Sequence, residues 1–104
     1  MFEPGDDGWL CGYCTDFPNG LTVSVQWHNT AYAECVDGEV ISVEIACWLT
    51  DDRDVWMTRS VWGDTTSDSA PLVDDVIGWV PVEKVEEYLD IAEKCKPYIG
   101  VTVQ

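Results

Sequence analysis

The chain has 104 residues, twenty acidic against five basic, for a formal net charge of −15. Charge of that sign excludes direct binding to nucleic acid or to an anionic membrane as its default, because phosphate is repelled, and it points to basic macromolecular surfaces as partners. Yet 46% of the residues are hydrophobic and six are tryptophan, so this is a folding domain and not an acidic tail.

Residues 1–19 carry Pro4, Gly5, Gly8, Gly12 and Pro18, a density of breakers that predicts an irregular N-terminal arm, with Trp9, Leu10 and Tyr13 available to pin it. Met1-Phe2-Glu3-Pro4 lacks the basic start and apolar run of a secretory leader. Leu21, Val23, Val25 and Trp27 then alternate with Thr22, Ser24, Gln26 and His28, the period of a strand with one buried face. Ile41, Val43, Ile45, Cys47 and Leu49 repeat the pattern, and the connection between them holds Asp37-Gly38, a turn pair for an antiparallel return. Val55–Trp62 predicts a third strand with Trp56, Thr58, Ser60 and Trp62 on one face. Residues 63–71 are small and polar, an exposed loop, and Val73–Val80 is a short apolar segment broken by Gly78, an edge strand or the approach to a helix.

At Val82 the period changes to that of a helix. Val82, Val85, Leu89 and Ala92 form one stripe and Glu83, Glu86, Glu87, Asp90 and Glu93 the opposite one, which predicts an amphipathic helix over Val82–Lys96. Pro81 suits its first position and Pro97 stops it. Tyr98–Val103 offers a last terminal strand. The fold expected is α+β, one domain over residues 1–104, an antiparallel sheet of three to five strands with one amphipathic helix packed on one face.

The chemistry-bearing residues are thin. Cys11-Gly-Tyr-Cys14 has redox spacing, but the segment after it holds Pro18 and Gly20 and cannot supply the helix N-terminus that makes such thiols reactive. Cys11, Cys14, His28 and Cys35 have the donor set of a Cys3His zinc site, without the second close ligand pair; the alternative is free thiols, as five scattered cysteines in a reducing cytoplasm would be. Ser24 and His28 share a strand face but stand about 13 Å apart, too far for a dyad. No enzyme, cofactor or bound metal is therefore expected. The helical carboxylates instead follow one another at roughly 5–6 Å, a row that a basic groove built for phosphate would accept; Asp51, Asp52 and Asp54 add charge in a loop tip. Trp48 and Trp56 fall on the sheet face away from the helix, as an interaction patch or a smaller second core.

The stretch Phe17-Pro18-Asn19-Gly20-Leu21-Thr22-Val23-Ser24-Val25-Gln26-Trp27, then Val43-Glu44-Ile45-Ala46-Cys47-Trp48, then Asp75-Val76-Ile77-Gly78-Trp79-Val80 leading into a helix, resembles a family of small bacteriophage proteins of unknown function. The resemblance spans most of Asp16–Lys94. This chain departs from the pattern in its cysteine-bearing N-terminal arm and in the region Asp51–Pro71. The resemblance implies a product made in the host cytoplasm and supplies no catalytic residues. Joined to the charge, it gives the expectation of a stoichiometric inhibitor of a basic host protein that normally binds nucleic acid, such as a restriction, recombination or CRISPR component. An acidic assembly module using the tryptophan face is the alternative and a small zinc module the second; a second copy of the chain is a further candidate partner.

Overall fold

The computed structural model describes residues 12–27, 31–63, 66, 70–73 and 75–95. They form an α+β fold: a seven-stranded antiparallel sheet with two short helices. Its spine is β4 (Glu39–Leu49), eleven residues long and paired along both edges. One edge takes β2 (Leu21–Gln26) at its C-terminal half and β3 (Glu34–Val36) at its start. The other takes β7 (Val76–Pro81) near its middle and β5 (Asp52–Trp56) at its end. Outside these, β1 (Gly12–Asp16) pairs β2 and β6 (Leu72–Val73) pairs β7.

The alternation of β2 and β4 becomes the core. Leu21, Val23, Val25, Val43, Ile45 and Cys47 are fully buried, and β2 sets Val25 opposite Ile45 and Val23 opposite Cys47, so the apolar sets share a face. Ile41 departs from the expected pattern. Between β3 and β4 the register slips at Ile41, so that Val40 enters the core while Ile41 stays 39% exposed. One extra residue in a ladder reverses the facing of what lies beyond it. The β3–β4 hairpin closes on Asp37 and Gly38, both at positive φ, the two-residue turn that the Asp-Gly pair favours.

Several expected boundaries move. The end of the N-terminal arm is β1, held to β2 over its whole length; residues 1–11 lie outside the described residues, as do His28 and the expected strand at Tyr98–Val103. Val55–Trp62 is not one strand: β5 stops at Trp56 and helix α1 (Thr58–Trp62) follows. The cause is local. The Met57 N–H donates to the Cys47 carbonyl at 2.7 Å and the Thr58 hydroxyl accepts from the Cys47 N–H at 2.9 Å, so a side chain replaces the next rung of the ladder and frees the backbone to turn. Trp62 is thereby rotated into the core, fully buried with its indole N–H on the Tyr88 carbonyl at 3.0 Å, instead of joining Trp56 on a sheet face. Residues 63–71 do not form a wholly exposed loop either, since Ala70 is a core residue. Likewise β7 is no edge strand, because it lies between β4 and β6.

The predicted helix is a 3-10 turn at Val82–Lys84 followed by α2 (Val85–Glu93), with Pro81 still in the strand. Val85 and Ala92 are buried as expected; Tyr88 joins them, while Val82 and Leu89 are only partly covered. The helix ends three residues before Lys96 because the Phe17–Gly20 turn meets it there. Asn19, buried, donates its amide N–H to the Ala92 carbonyl at 2.7 Å and accepts the Leu21 N–H at 3.2 Å. One side chain thus satisfies a helix end and fixes the entry to β2. Asn19→Ala is expected to cost about 1–3 kcal/mol, the penalty of leaving the buried Leu21 N–H without its acceptor, read as a lower urea midpoint; an unchanged midpoint would remove this link between turn and helix.

Candidate functional site

All five helical carboxylates predicted to share a face are exposed: Glu83, Glu86, Glu87, Asp90 and Glu93. The chain neutralises part of that row itself. Lys94 pairs with Asp90 at 2.9 Å, which raises the lysine pKa, and Lys84 lies 3.7 Å from Glu87. Glu83, Glu86 and Glu93 have no ion-pair partner among the described residues. Beside the row, Glu86, Asp90 and Glu93 rim a shallow groove with Phe17 and Leu89 in its lining, so carboxylates stand next to partly exposed apolar surface. Asp51, Asp52 and Asp54 are also exposed, but only Asp51 lies in the β4–β5 turn; Asp52 and Asp54 belong to β5 and not to a loop tip, and the Asp52 carboxylate accepts the Asp54 N–H at 3.1 Å. Among the described carboxylates only Glu44 is partly buried.

The face of the sheet away from α2 carries Trp48 and Trp56. Trp48 and Trp56 are directly opposed across β4 and β5, their rings 5.4 Å apart and edge to face. Trp56 is 44% exposed, and the Arg53 guanidinium sits 5.5 Å from the Trp48 ring centre. These two predicted tryptophans therefore do come together, but with a cation of the same chain on one of them. Thr22, Ser24 and Ser42 on the same face are buried polar residues, each hydrogen-bonded, so much of that face is covered surface.

A second aromatic pair was not among the predicted site residues. The register of β7 against β4 slips between Val80 and Ile77, and in that slip Trp79 takes a φ of +53°. For a bulky side chain this backbone costs roughly 1–2 kcal/mol relative to an ordinary strand. It is held by the Trp79 N–H, which donates to the Tyr32 carbonyl at 2.8 Å, while the Tyr32 N–H donates to the Glu44 carboxylate at 3.2 Å. Gly78 makes the approach possible: a Cβ there would stand 2.8 Å from the Tyr32 Cβ. The two rings lie 5.2 Å apart at 32°, and both are more than a third exposed. The signal in the sequence was Gly78 itself, since a glycine inside an apolar strand marks a bulge or a close backbone approach.

No protein-family model, curated protein or solved structure matches this chain. The site must therefore be read from its own chemistry. No helix among the described residues is long and apolar enough to cross a membrane. Of the zinc-type donor set, Cys14 on β1 and Cys35 on β3 are exposed free thiols, whereas Cys11 and His28 lie outside the described residues; no group of three or more metal-ligating side chains occurs among those described.

The thiol with the largest shift is structural. Burial, with the Cys95 thiol adding to it, pushes Cys47 from an ordinary 9.0 up to about 12. Cys95, Tyr13 and Tyr88 are raised too, each chiefly by burial. The folded chain then keeps protons that the unfolded chain releases. Stability should be complete below about pH 9 and fall as pH rises from there toward about 12. Thermal melts across that window are expected to show a falling midpoint; a flat midpoint would contradict the burial of these groups.

Proposed function

We propose that this protein acts by binding, as a stoichiometric inhibitor whose acidic surface occupies the basic site of a nucleic-acid-binding protein. The observation that carries the proposal is the disposition of charge. The described carboxylates lie at the surface except for Glu44, and among the described residues only Glu87 and Asp90 have a lysine partner. Self-repulsion of that kind weakens a fold and serves none of its packing. A partner with a positive groove would relieve it, and the spacing of carboxylates along α2 supports a match to a site built for phosphates. The phage resemblance makes a host defence component, of restriction, recombination or CRISPR type, the expected target, met in the host cytoplasm.

The assembly alternative rests on the exposed Trp56 beside Trp48. The two readings separate by salt. The tagged protein, incubated with host lysate at low ionic strength, should retain nucleic-acid-binding proteins and release them as salt rises, because exposed complementary charges are screened within about 10 Å at 0.1 M. Retention that survives high salt and is lost on Trp56→Ala would favour the assembly module.

A further inference from the structure

Trp79 is an exposed indole on a strained backbone, next to a second exposed ring, that of Tyr32, whose own N–H is held by the Glu44 carboxylate. The structure would be relaxed by glycine or asparagine at that φ. Instead three hydrogen bonds (Trp79 to Tyr32, Tyr32 to Glu44, and Ala33 to Ala31) hold the segment so that both rings stay accessible. Glu44 is the one partly buried described carboxylate, and no lysine or arginine pairs with it among the described residues. Nor does a cation lie over either ring there, in contrast to Trp48, whose ring already has Arg53. Two exposed rings, joined through the Tyr32 N–H to a carboxylate that has no ion-pair partner among the described residues, on a chain of net charge −15, are complementary to a planar cation.

We propose that Tyr32 and Trp79 form a seat for an arginine side chain of the basic partner, with the guanidinium stacked on the ring pair and Glu44 supplying the opposite charge. Arginine is preferred to lysine because its flat, weakly hydrated head stacks on aromatic faces, whereas an ammonium is compact and strongly hydrated. The proposal deepens the reading of this protein as a binder of basic proteins and rests on it for the identity of the partner.

The test uses the whole chain with two blocked peptides of equal charge, hexa-arginine and hexa-lysine, followed by NMR of the tryptophan indole N–H groups, that of Trp79 being assigned from Trp79→Phe. Hexa-arginine is expected to shift the Trp79 indole and to bind about fivefold more tightly than hexa-lysine, a ratio within the range of cation–π contacts. Trp79→Asn, which tolerates the left-handed backbone, should bring the arginine affinity down to the lysine value with the core resonances in place. Equal affinities and an unmoved Trp79 indole in the wild-type chain would overturn the seat, whatever the variant does. So would an arginine-specific shift confined to Trp48 and Trp56. Failure here with intact displacement of nucleic acid from a partner would remove only the seat; an arginine-selective Trp79 shift without such displacement would remove the inhibitor reading and leave the seat standing.

Discussion

Trp62→Ala is expected to lower the free energy of unfolding by about 3–5 kcal/mol, the range for deleting a fully buried aromatic side chain. Its ring is wholly enclosed, packs 5.9 Å from the Tyr88 ring, and donates to the Tyr88 carbonyl, so truncation opens a cavity between α1 and α2 and removes that hydrogen bond. A small domain has only about 5–15 kcal/mol in total. Trp56→Ala, six residues earlier on an exposed edge-to-face pair, should cost about 1 kcal/mol. Urea denaturation of the two variants reads the difference directly. Comparable losses would mean that α1 does not turn Trp62 inward.

The second large effect is on binding. Replacing Glu83, Glu86 and Glu93 by glutamine removes the helical carboxylates that have no lysine partner among the described residues and leaves the Lys84–Glu87 and Lys94–Asp90 pairs intact. All three side chains are exposed, so the melting temperature should move little. Exposed charge pairs contribute roughly 0.2–1 kcal/mol each, so affinity for a basic partner at low salt should fall on the order of tenfold. Glu87→Gln with Asp90→Asn should weaken binding less, because those charges are already partly neutralised. Asp51→Asn, Asp52→Asn and Asp54→Asn in one chain test whether the β4–β5 turn and β5 enter the same site. Isothermal calorimetry at two salt concentrations separates these sets; equal losses from the paired and unpaired helical sets would show that the lysines do not shape the surface.

Much of the fold was legible because burial leaves a period. The alternation over Leu21–Trp27 and Val43–Leu49 and the helical stripe around Val85 and Ala92 record which side chains meet in the core, and these elements stand where the pattern put them. What the pattern hid were the places where one residue breaks a period. Ile41 reads as core until the β3–β4 bulge turns it out, and Trp62 reads as sheet until Thr58 caps the Cys47 backbone and starts a helix. Asn19 looks like a turn residue, which it is, but its contact with Ala92 spans 73 positions and has no local signature. The exposure of the helical carboxylates was readable for the same reason as the core. Their pairing with Lys84 and Lys94 follows from three- and four-residue spacing. Tyr32 and Trp79, 47 residues apart, meet only through the bulge that Gly78 permits.

The central claim is that this acidic surface and a nucleic acid compete for one site, and displacement tests it most directly. A partner captured at low salt is loaded with a fluorescently labelled DNA or RNA, and the protein is titrated in while anisotropy is followed. Anisotropy should fall to that of free nucleic acid near one equivalent of wild-type chain, and the Glu83→Gln, Glu86→Gln, Glu93→Gln variant should need on the order of tenfold more. A rise in anisotropy instead, as protein and nucleic acid sit on the partner together, would contradict the account.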